Sequence, residues 1–475
     1  MSNQSDILIL GGGPTGLGAS LRLEEKGLDW RLLEAEPRFG GLASSWVDEQ
    51  GFTWDLGGHV QFSHYETFDR YMDLALGPDG WYSHERESWV WMQNRFIPYP
   101  FQNNLHRLDP ADREACVEGL RKAAREERSG FGVQDSGFRP PPSSFRDWIL
   151  TTFGEGIARL FLLPYNFKVW ATPPEQMDYH WIGERVAVPD LKAVMRSIET
   201  GQDQVSWGPN RTFRFPKYGG TGAVWEALGR RLPPERVTLG ARVAALDPDL
   251  RQVTTADGRV WSYERLISTL PLNRLVRMAP GVAEAAAADR LVFSGTHVVG
   301  VGMTGNVPEH LRTKCWMYFP EPHNPYYRVT VFTNYSPNNA PRPGEQWSLM
   351  TETSESATKP VRRETLVEDT LRALVEDGLL PDRTAIVSTA HRYLPQAYPT
   401  PFLGRDAVAD PLLRAFEARG IYSRGRFGAW KYEVANQDHC FAQGYECVER
   451  LAADGGAEYE PTLFTPDVVN NRRNP

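Results

Sequence analysis

Three glycines near the start of the chain have the spacing of a phosphate cradle: Gly11, Gly13 and Gly16 form G-x-G-x-x-G. An apolar run, Ile7 to Leu10, leads into them and reads as a buried strand. Pro14 and Thr15 open a stretch patterned as a helix to Lys26, and Trp30 to Glu34 reads as a second strand ending on an acid. Glycines at these positions let the backbone turn tightly and approach a pyrophosphate. The helix N-terminus then offers unpaired N–H donors and the positive end of its dipole. Glu34 lies at the distance along the chain where an acid accepts hydrogen bonds from a ribose. Strand, turn, helix and acid together predict a bound dinucleotide rather than a plain glycine turn.

A second glycine pair follows at once in Gly40-Gly41-Leu42-Ala43-Ser44, and Asp55-Leu56-Gly57-Gly58-His59 comes soon after. Gly41 to Ser44 suggest another backbone approach to the same ligand. The arrangement resembles the flavoproteins related to amine oxidases. That resemblance implies that the first turn holds the FAD diphosphate and the next loop reaches the isoalloxazine, so FAD is expected rather than a nicotinamide in this cradle.

The elements that must position these loops point to an α/β fold. We expect a Rossmann-like FAD-binding domain with an inserted helical domain and a mixed, largely antiparallel β-sheet domain. The expected division is 1–104 and 211–295 for the first two FAD-binding segments, with 105–210 between them as the helical insertion carrying flaps. Residues 296–400 are expected to form the substrate sheet, and 401–475 a third FAD-binding segment with a closing helix and tail. At 475 residues the chain is long enough for two or three packed units. A net charge of −8 argues against nucleic acid or an anionic membrane as the main partner. There is no run of about eighteen apolar residues for a membrane helix and no basic-then-apolar leader. The four cysteines lack zinc-ligand spacing, so no metal and a reducing cytoplasm are expected.

Along the chain, residues 60–81 look helical. Trp89 to Ile97 reads as a strand pair turning at Gln93-Asn94, and two prolines in Pro98-Tyr99-Pro100-Phe101-Gln102-Asn103-Asn104 deny that loop regular structure. Residues 110–128 form a charged helix. Residues 129–143, rich in Gly, Pro and Ser, read as an exposed, mobile connector. Helices are expected at Ser144 to Phe153 and Gly154 to Leu163. Strands are expected at Arg265 to Leu270, Thr296 to Met303, Cys315 to Phe319, Arg328 to Asn334 and Trp347 to Glu352. Helices are expected at Val361 to Asp377 and Gln437 to Leu451, and the last twenty residues should be loosely held.

Six motifs then occur in order: Gly57-Gly58-His59-Val60, PYPFQNN, PYNFKVW, GERVA, WGPN and RGRFGAWKYE. Together they resemble the UDP-galactopyranose mutases, closer to the eukaryotic branch than to the usual bacterial one, over nearly the whole chain. The resemblance implies an intramolecular transferase that interconverts UDP-galactopyranose and UDP-galactofuranose without net redox change, yet only with reduced FAD. In that chemistry the electron-rich N5 of the reduced flavin attacks the anomeric carbon and displaces UDP. The sugar ring opens through an iminium and recloses.

The resemblance also assigns roles. Arg185 and Arg328 match the arginines that clamp the UDP diphosphate, although either alone reads as a surface ion-pair partner. Tyr318, Tyr335, Tyr398 and Tyr432 match tyrosines that reach the same diphosphate, although each alone reads as core. Phe101, Gln102, Phe161, Tyr165, Asn166 and Trp170 match the uridine end, Trp316 the sugar pocket, and Asn210 in WGPN a flap residue near the ligand. His59 matches the histidine beside the flavin ring. His59, Arg185, Arg328 and Asn210 are therefore the expected catalytic set. Arg426, Asn436 and Gln437 match contacts to the flavin, with Asn436 also facing substrate, and Val243 matches a contact elsewhere on FAD. Arg86, Ser88 and Tyr99 match positions that hold NADPH, which implies direct reduction by a nicotinamide.

Some segments depart from the family pattern. The loop after Tyr335 looks shorter and the 129–143 connector longer than in the fungal members, and their C-terminal extension is absent. These segments help build the family's oligomers, so whether the chain forms a homo-oligomer is left open. The same ring-contraction chemistry on another UDP-sugar is the nearest alternative. A flavin oxidase or desaturase would need no diphosphate clamp, and intact glycine turns with His59 argue against a silent nucleotide-binding protein.

Overall fold

The apolar run Gln4–Leu10 forms a central strand of a seven-stranded sheet, with Leu8, Ile9 and Leu10 essentially inaccessible. It lies parallel to Trp30–Leu33 on one side and to Val260–Ser268 on the other. Val237–Thr238 and Ile421–Ser423 extend the parallel array, so this sheet draws strands from both ends of the chain. The hairpin Val243–Asp247 and Gln252–Thr255 adds antiparallel strands at its edge. Parallel strands buried on both faces read as continuous apolar runs, which is why the first one was visible without alternation. The computed structural model describes residues 3–129, 141–186, 188–205 and 211–470. Most of the expected connector, the flap stretch 206–210 and Ala187 lie outside them.

The second sheet has seven strands in the order Ile386–Pro399, Phe293–Thr304, Gln346–Glu355, Arg328–Val331, Trp316–Tyr318, Ser88–Met92 and Arg95–Pro98. All pairings are antiparallel except that of Trp316–Tyr318 with Ser88–Met92. One face, with Val299, Val301 and Leu349, packs on Leu371 and Leu374 of the helix Leu366–Glu376. The other, with Val298, Met350 and Trp316, packs on Phe52, Trp54, Phe213 and Phe215. The helices Pro110–Ser129, Phe145–Ile157, Leu163–Trp170 and Leu191–Thr200 share a third core. No described helix is long and apolar enough to cross a membrane.

Several elements differ from the sequence reading. The hairpin Ser88–Pro98 turns at Gln93-Asn94, both at positive φ, as expected, but it pairs with the second sheet although it falls within the first expected FAD-binding segment. The helix expected over 60–81 is confined to Glu66–Leu76. The loop after Pro98 contains a 3-10 turn, Phe101–Asn103, closed by Asn104, whose side-chain amide donates to the carbonyls of Pro98 and Pro100. Pro164 does not end a helix: it stands at the start of Leu163–Trp170, after a π-helical turn Ala158–Leu162, where a missing N–H costs little. The chain turns helical at Phe332–Tyr335 instead of continuing the strand to Asn334. The strand Ile386–Pro399 was not visible, because burial does not follow residue type: Ser388 is buried and Val387 exposed.

The C-terminal segment is also not loose as far as Asn470, and 471–475 lie outside the described residues. Pro461–Phe464 and Pro466–Asn470 are short helices, with Thr462, Leu463, Val469 and Asn470 buried. Just ahead of them Glu460 is fully buried, where it accepts from Arg424 and Arg450. Polar composition hid this, since what holds the segment is a charge partner elsewhere in the chain.

Candidate active site

The glycine turn is enforced by close packing. Gly11 has φ +104°, and a Cβ there would lie 2.1 Å from Thr269 Oγ1; a Cβ on Gly16 would lie 1.8 Å from the Gly11 carbonyl oxygen. Gly13 differs, since the nearest atom to its Cβ position is the Gly40 carbonyl at 3.7 Å. Gly40 donates its N–H to Gly12 O at 2.9 Å, so the two glycine pairs form one surface. Glu34 accepts from Gly12 N–H at 2.5 Å and from Glu36 N–H at 2.7 Å. Burial raises its carboxyl, partly offset by these bonds. The acid therefore braces the turn and keeps lone pairs for a sugar hydroxyl. Leu42 and Val243 pack on the same cluster as Leu10 and Leu33. After Ala43 and Ser44, Ser45 Oγ donates to Asp55 Oδ1 at 2.5 Å and accepts from Gly222 N–H at 2.7 Å. Asp55, which heads the stretch to His59 but was given no role from the sequence, also accepts from Thr221 N–H at 3.1 Å, and burial pushes its carboxyl up to about 7.

The register of the second sheet builds the next part. Tyr318 stands opposite Arg328, and Arg328 opposite Glu352, so the three lie in one row across neighbouring strands. Glu352 is 2% exposed and accepts four hydrogen bonds. They come from Arg328 Nε at 2.8 Å and Nη2 at 2.7 Å, Tyr327 OH at 2.7 Å and Gly58 N–H at 2.9 Å. Burial alone would raise this carboxyl, but Arg328 and the other donors hold it below its ordinary value. Burial alone would lower Arg328, and Glu352 keeps it well above. Glu352 was missed by the sequence reading, where the only signal was an acid inside an otherwise buried strand.

His59 follows Gly58 on the same loop. Burial, helped by Arg426 and Arg328 and opposed by Glu352, pushes its imidazole down to about 4, so it is neutral at pH 7. His59 Nδ1 and Trp316 Nε1 are both buried without a hydrogen-bond partner among the described residues, and Trp316 Nε1 would lie 3.1 Å from a Cβ on Gly58. Buried orphan nitrogens are uncommon in folded proteins. Here they stand beside the loop expected to face the flavin ring, where they are available to the polar atoms of a bound heterocycle.

An aromatic wall continues from Tyr318. The ring centroids of Tyr165 and Tyr318 are 5.4 Å apart, those of Phe161 and Tyr165 5.3 Å, and those of Phe101 and Phe161 4.7 Å. A second group joins Trp170 to Tyr432 at 4.6 Å and to Tyr398 at 5.8 Å. Burial keeps the Tyr165 and Tyr432 hydroxyls protonated. Arg426 stands 4.8 Å from the Tyr398 ring and donates to Ala397 O and Ala435 O. Arg185, on the 3-10 turn Gly183–Arg185, stands 5.9 Å from the Tyr432 ring. It donates to Glu433 O at 2.5 Å and Trp181 O at 3.4 Å, which uses two of its five N–H groups. Among the described residues no carboxylate pairs with it. Asn166 donates back to Leu162 O, and Gln102 is buried. Tyr335 is less suited to its expected role: it is buried among Phe213, Phe215 and Phe332 and donates to Cys315 O at 3.4 Å. Asn210 lies outside the described residues.

Residues 14–451 match the family described as flavin containing amine oxidoreductase. A crystal structure of reduced UDP-galactopyranose mutase superposes with a TM-score of 0.92 and 46% identity, covering 98% of this chain and 97% of that one. The chain belongs to the UDP-galactopyranose mutase family. As a member of it, the protein is a flavoenzyme, and FAD is the flavin its paired glycine turns fit. More distant likeness shows the fold alone. The CLA-producing fatty acid isomerase of P. acnes is 15% identical with a TM-score of 0.61, over 95% of this chain and 99% of that one. The probable flavin-containing monoamine oxidase A of Dictyostelium discoideum is 22% identical over 57% of this chain. The chain spans 58% of that curated relative's length.

In this UDP-galactopyranose mutase family member, Arg86, Ser88 and Tyr99 adjoin the same wall, while Gln437 is held from another side. Arg86 Nε donates to buried Ser88 Oγ at 3.0 Å and its Nη2 to Tyr318 OH at 3.3 Å. Its guanidinium is 4.7 Å from the Trp316 ring and 6.0 Å from that of Tyr99. Asn436 is the N-cap residue of Gln437–Ala453. Gln437 Oε1 accepts from Gln61 Nε2 at 3.0 Å and Trp225 Nε1 at 2.7 Å, which orients its amide.

Proposed function

We propose that the protein interconverts UDP-galactopyranose and UDP-galactofuranose, with FAD reduced directly by NADPH. The observation that carries this reading is the contrast between two arginines. Glu352 neutralises Arg328, while Arg185 keeps its charge and free N–H groups beside Tyr432 and Tyr398. A diphosphate released and recaptured in each cycle needs such an uncommitted guanidinium, whose planar donors match phosphate oxygens.

Reduced FAD, when bound, supplies a nucleophilic N5 for the anomeric carbon. The chain's own residues hold and orient. Phe101, Phe161 and Tyr165 offer flat faces to a uracil. The hydroxyls of Tyr318, Tyr398 and Tyr432 donate to the diphosphate. Neutral His59 and Trp316 flank the reacting ring without adding charge, and Arg426 contributes a positive field that favours an anionic reduced flavin. Arg86 and Ser88 would hold the nicotinamide nucleotide from the Tyr318 side. The 46% identity over 98% of the chain supports this reading. Four free, buried cysteines suit a cytoplasmic setting. Amine oxidation, the chemistry named in the broader family description, fits less well, because Arg185 and Arg426 would repel an ammonium substrate.

The test is an anaerobic assay of purified flavoprotein with NADPH and UDP-galactofuranose. UDP-galactopyranose should form only when the flavin is reduced. Flavin bleaching without conversion would move the proposal to another UDP-sugar, and conversion by oxidised enzyme would end it.

A further inference from the structure

Outside the wall of expected ligands, a buried cluster joins three distant parts of the chain. His64, at the end of the loop that carries His59, has its Nδ1 2.7 Å and its N–H 3.0 Å from Asp438 Oδ2. The other carboxylate oxygen of Asp438 is 3.4 Å from His439 Nδ1. His439 Nε2 is 2.9 Å from Asn470 Oδ1, and Asn470 Nδ2 donates at 3.2 Å to Glu433 O. That carbonyl also accepts from Arg185. The short helix Pro466–Asn470 packs directly on the turn Gly183–Arg185.

The same three side chains, His64, Asp438 and His439, could be read as metal ligands. Their geometry fits hydrogen bonding better. The two imidazoles are stacked, with centroids 4.8 Å apart and planes at 27°, so their in-plane lone pairs run alongside each other rather than converge. The separation of 2.7 Å between His64 Nδ1 and Asp438 Oδ2 is a hydrogen bond. Two ligands of a tetrahedral zinc ion would stand about 3.3 Å apart.

We infer that Asn470 is a positioning residue for Arg185, and that the C-terminal helix sets the guanidinium through the shared Glu433 carbonyl. The inference rests on the proposed reading in which Arg185 binds the UDP diphosphate. An amide is suited to the task because it accepts from His439 and donates to the carbonyl at once. With the amide gone, the Glu433 carbonyl loses the donor that fixes it and can rotate. The diphosphate donors of Arg185 then lose their fixed direction, and ligand binding falls while the flavin site is untouched.

A double-mutant cycle on the full-length flavoprotein tests this, with UDP binding read by calorimetry. Asn470→Ala should weaken UDP about tenfold in the wild-type background, which is about 1.4 kcal/mol. In an Arg185→Ala background the same change should weaken UDP less than about twofold, because the group being positioned is absent. Substrate KM should rise in parallel while kcat holds. Asn470→Ser, too short to reach both partners, should behave like Asn470→Ala. Equal loss in both backgrounds, or no loss in either, overturns the inference. So does a failure of both variants to hold flavin, which would make Asn470 a folding residue. Wild-type enzyme that does not bind UDP would instead end the functional reading itself.

Discussion

Arg328 and Arg185 are the same residue type in one site, but they answer to different partners. Removing Arg328 leaves Glu352 buried and charged, so Arg328→Ala should cost about 3–5 kcal/mol of stability as well as UDP affinity. Arg185→Ala strands no carboxylate, so it should lower UDP affinity about 10- to 100-fold with the unfolding temperature almost unchanged. Thermal unfolding beside UDP calorimetry separates them, and an Arg328→Ala protein as stable as wild type would remove Glu352 from the account. Asp55 supplies a pH signature. The folded protein keeps its proton to about pH 7, whereas the unfolded chain releases it near 3.8. Between those values the folded state binds more protons, so this group's contribution to stability falls as pH rises, by about 4 kcal/mol in all. Asp55→Asn removes the titration. Its melting temperature relative to wild type should climb from pH 4 to pH 7, and a flat difference would show that Asp55 is ionised in the fold.

At the scale of elements, the site lies where the hairpin Ser45–Val47 and Thr53–Asp55 leans on the second sheet. Trp54 is pinned by its Nε1 donating to Asp48 at 2.8 Å, and its ring covers Gly300, where a Cβ would come within 2.6 Å. Asp55 and the loop through Gly58 and His59 follow directly. Gly300→Ala should displace the ring and cost about 1–3 kcal/mol, with weaker flavin retention. A urea midpoint and a flavin absorbance titration measure the two effects, and unchanged values in both would mean the ring has room that the packing denies. Strand existence was legible here from alternation and apolar runs. Register was not: nothing in Trp316–Tyr318, Arg328–Val331 or Gln346–Glu355 taken singly says that Tyr318, Arg328 and Glu352 share a row. The strand Ile386–Pro399 lacked both signals because one edge of it is wet and it crosses a proline.

Across the whole molecule, the last described residues close the structure. Arg424 is fully buried against Glu460 and Glu417, and Arg450 reaches the same two acids. Glu460→Ala should cost about 3–5 kcal/mol, because it leaves a buried guanidinium short of charge. Truncation ahead of Glu460 should do at least as much damage. Denaturant unfolding checks both, and a truncated protein as stable as the full chain would restore the view of a loose tail.

The glycine cradle, the helix behind it and Glu34 could be read directly from the chain, because a tight turn, a helix start and a strand end are local and leave local residue preferences. The aromatic wall and the arginines became visible through motifs spread over the whole length. What folding alone settled is which acid meets which arginine. Glu352 is 24 residues from Arg328 and Glu460 is 36 from Arg424, yet each pair is in hydrogen-bond contact. Coulomb and hydrogen-bond energies depend on separation in space, and no pattern along a sequence encodes that separation until sheet register and helix packing have set it.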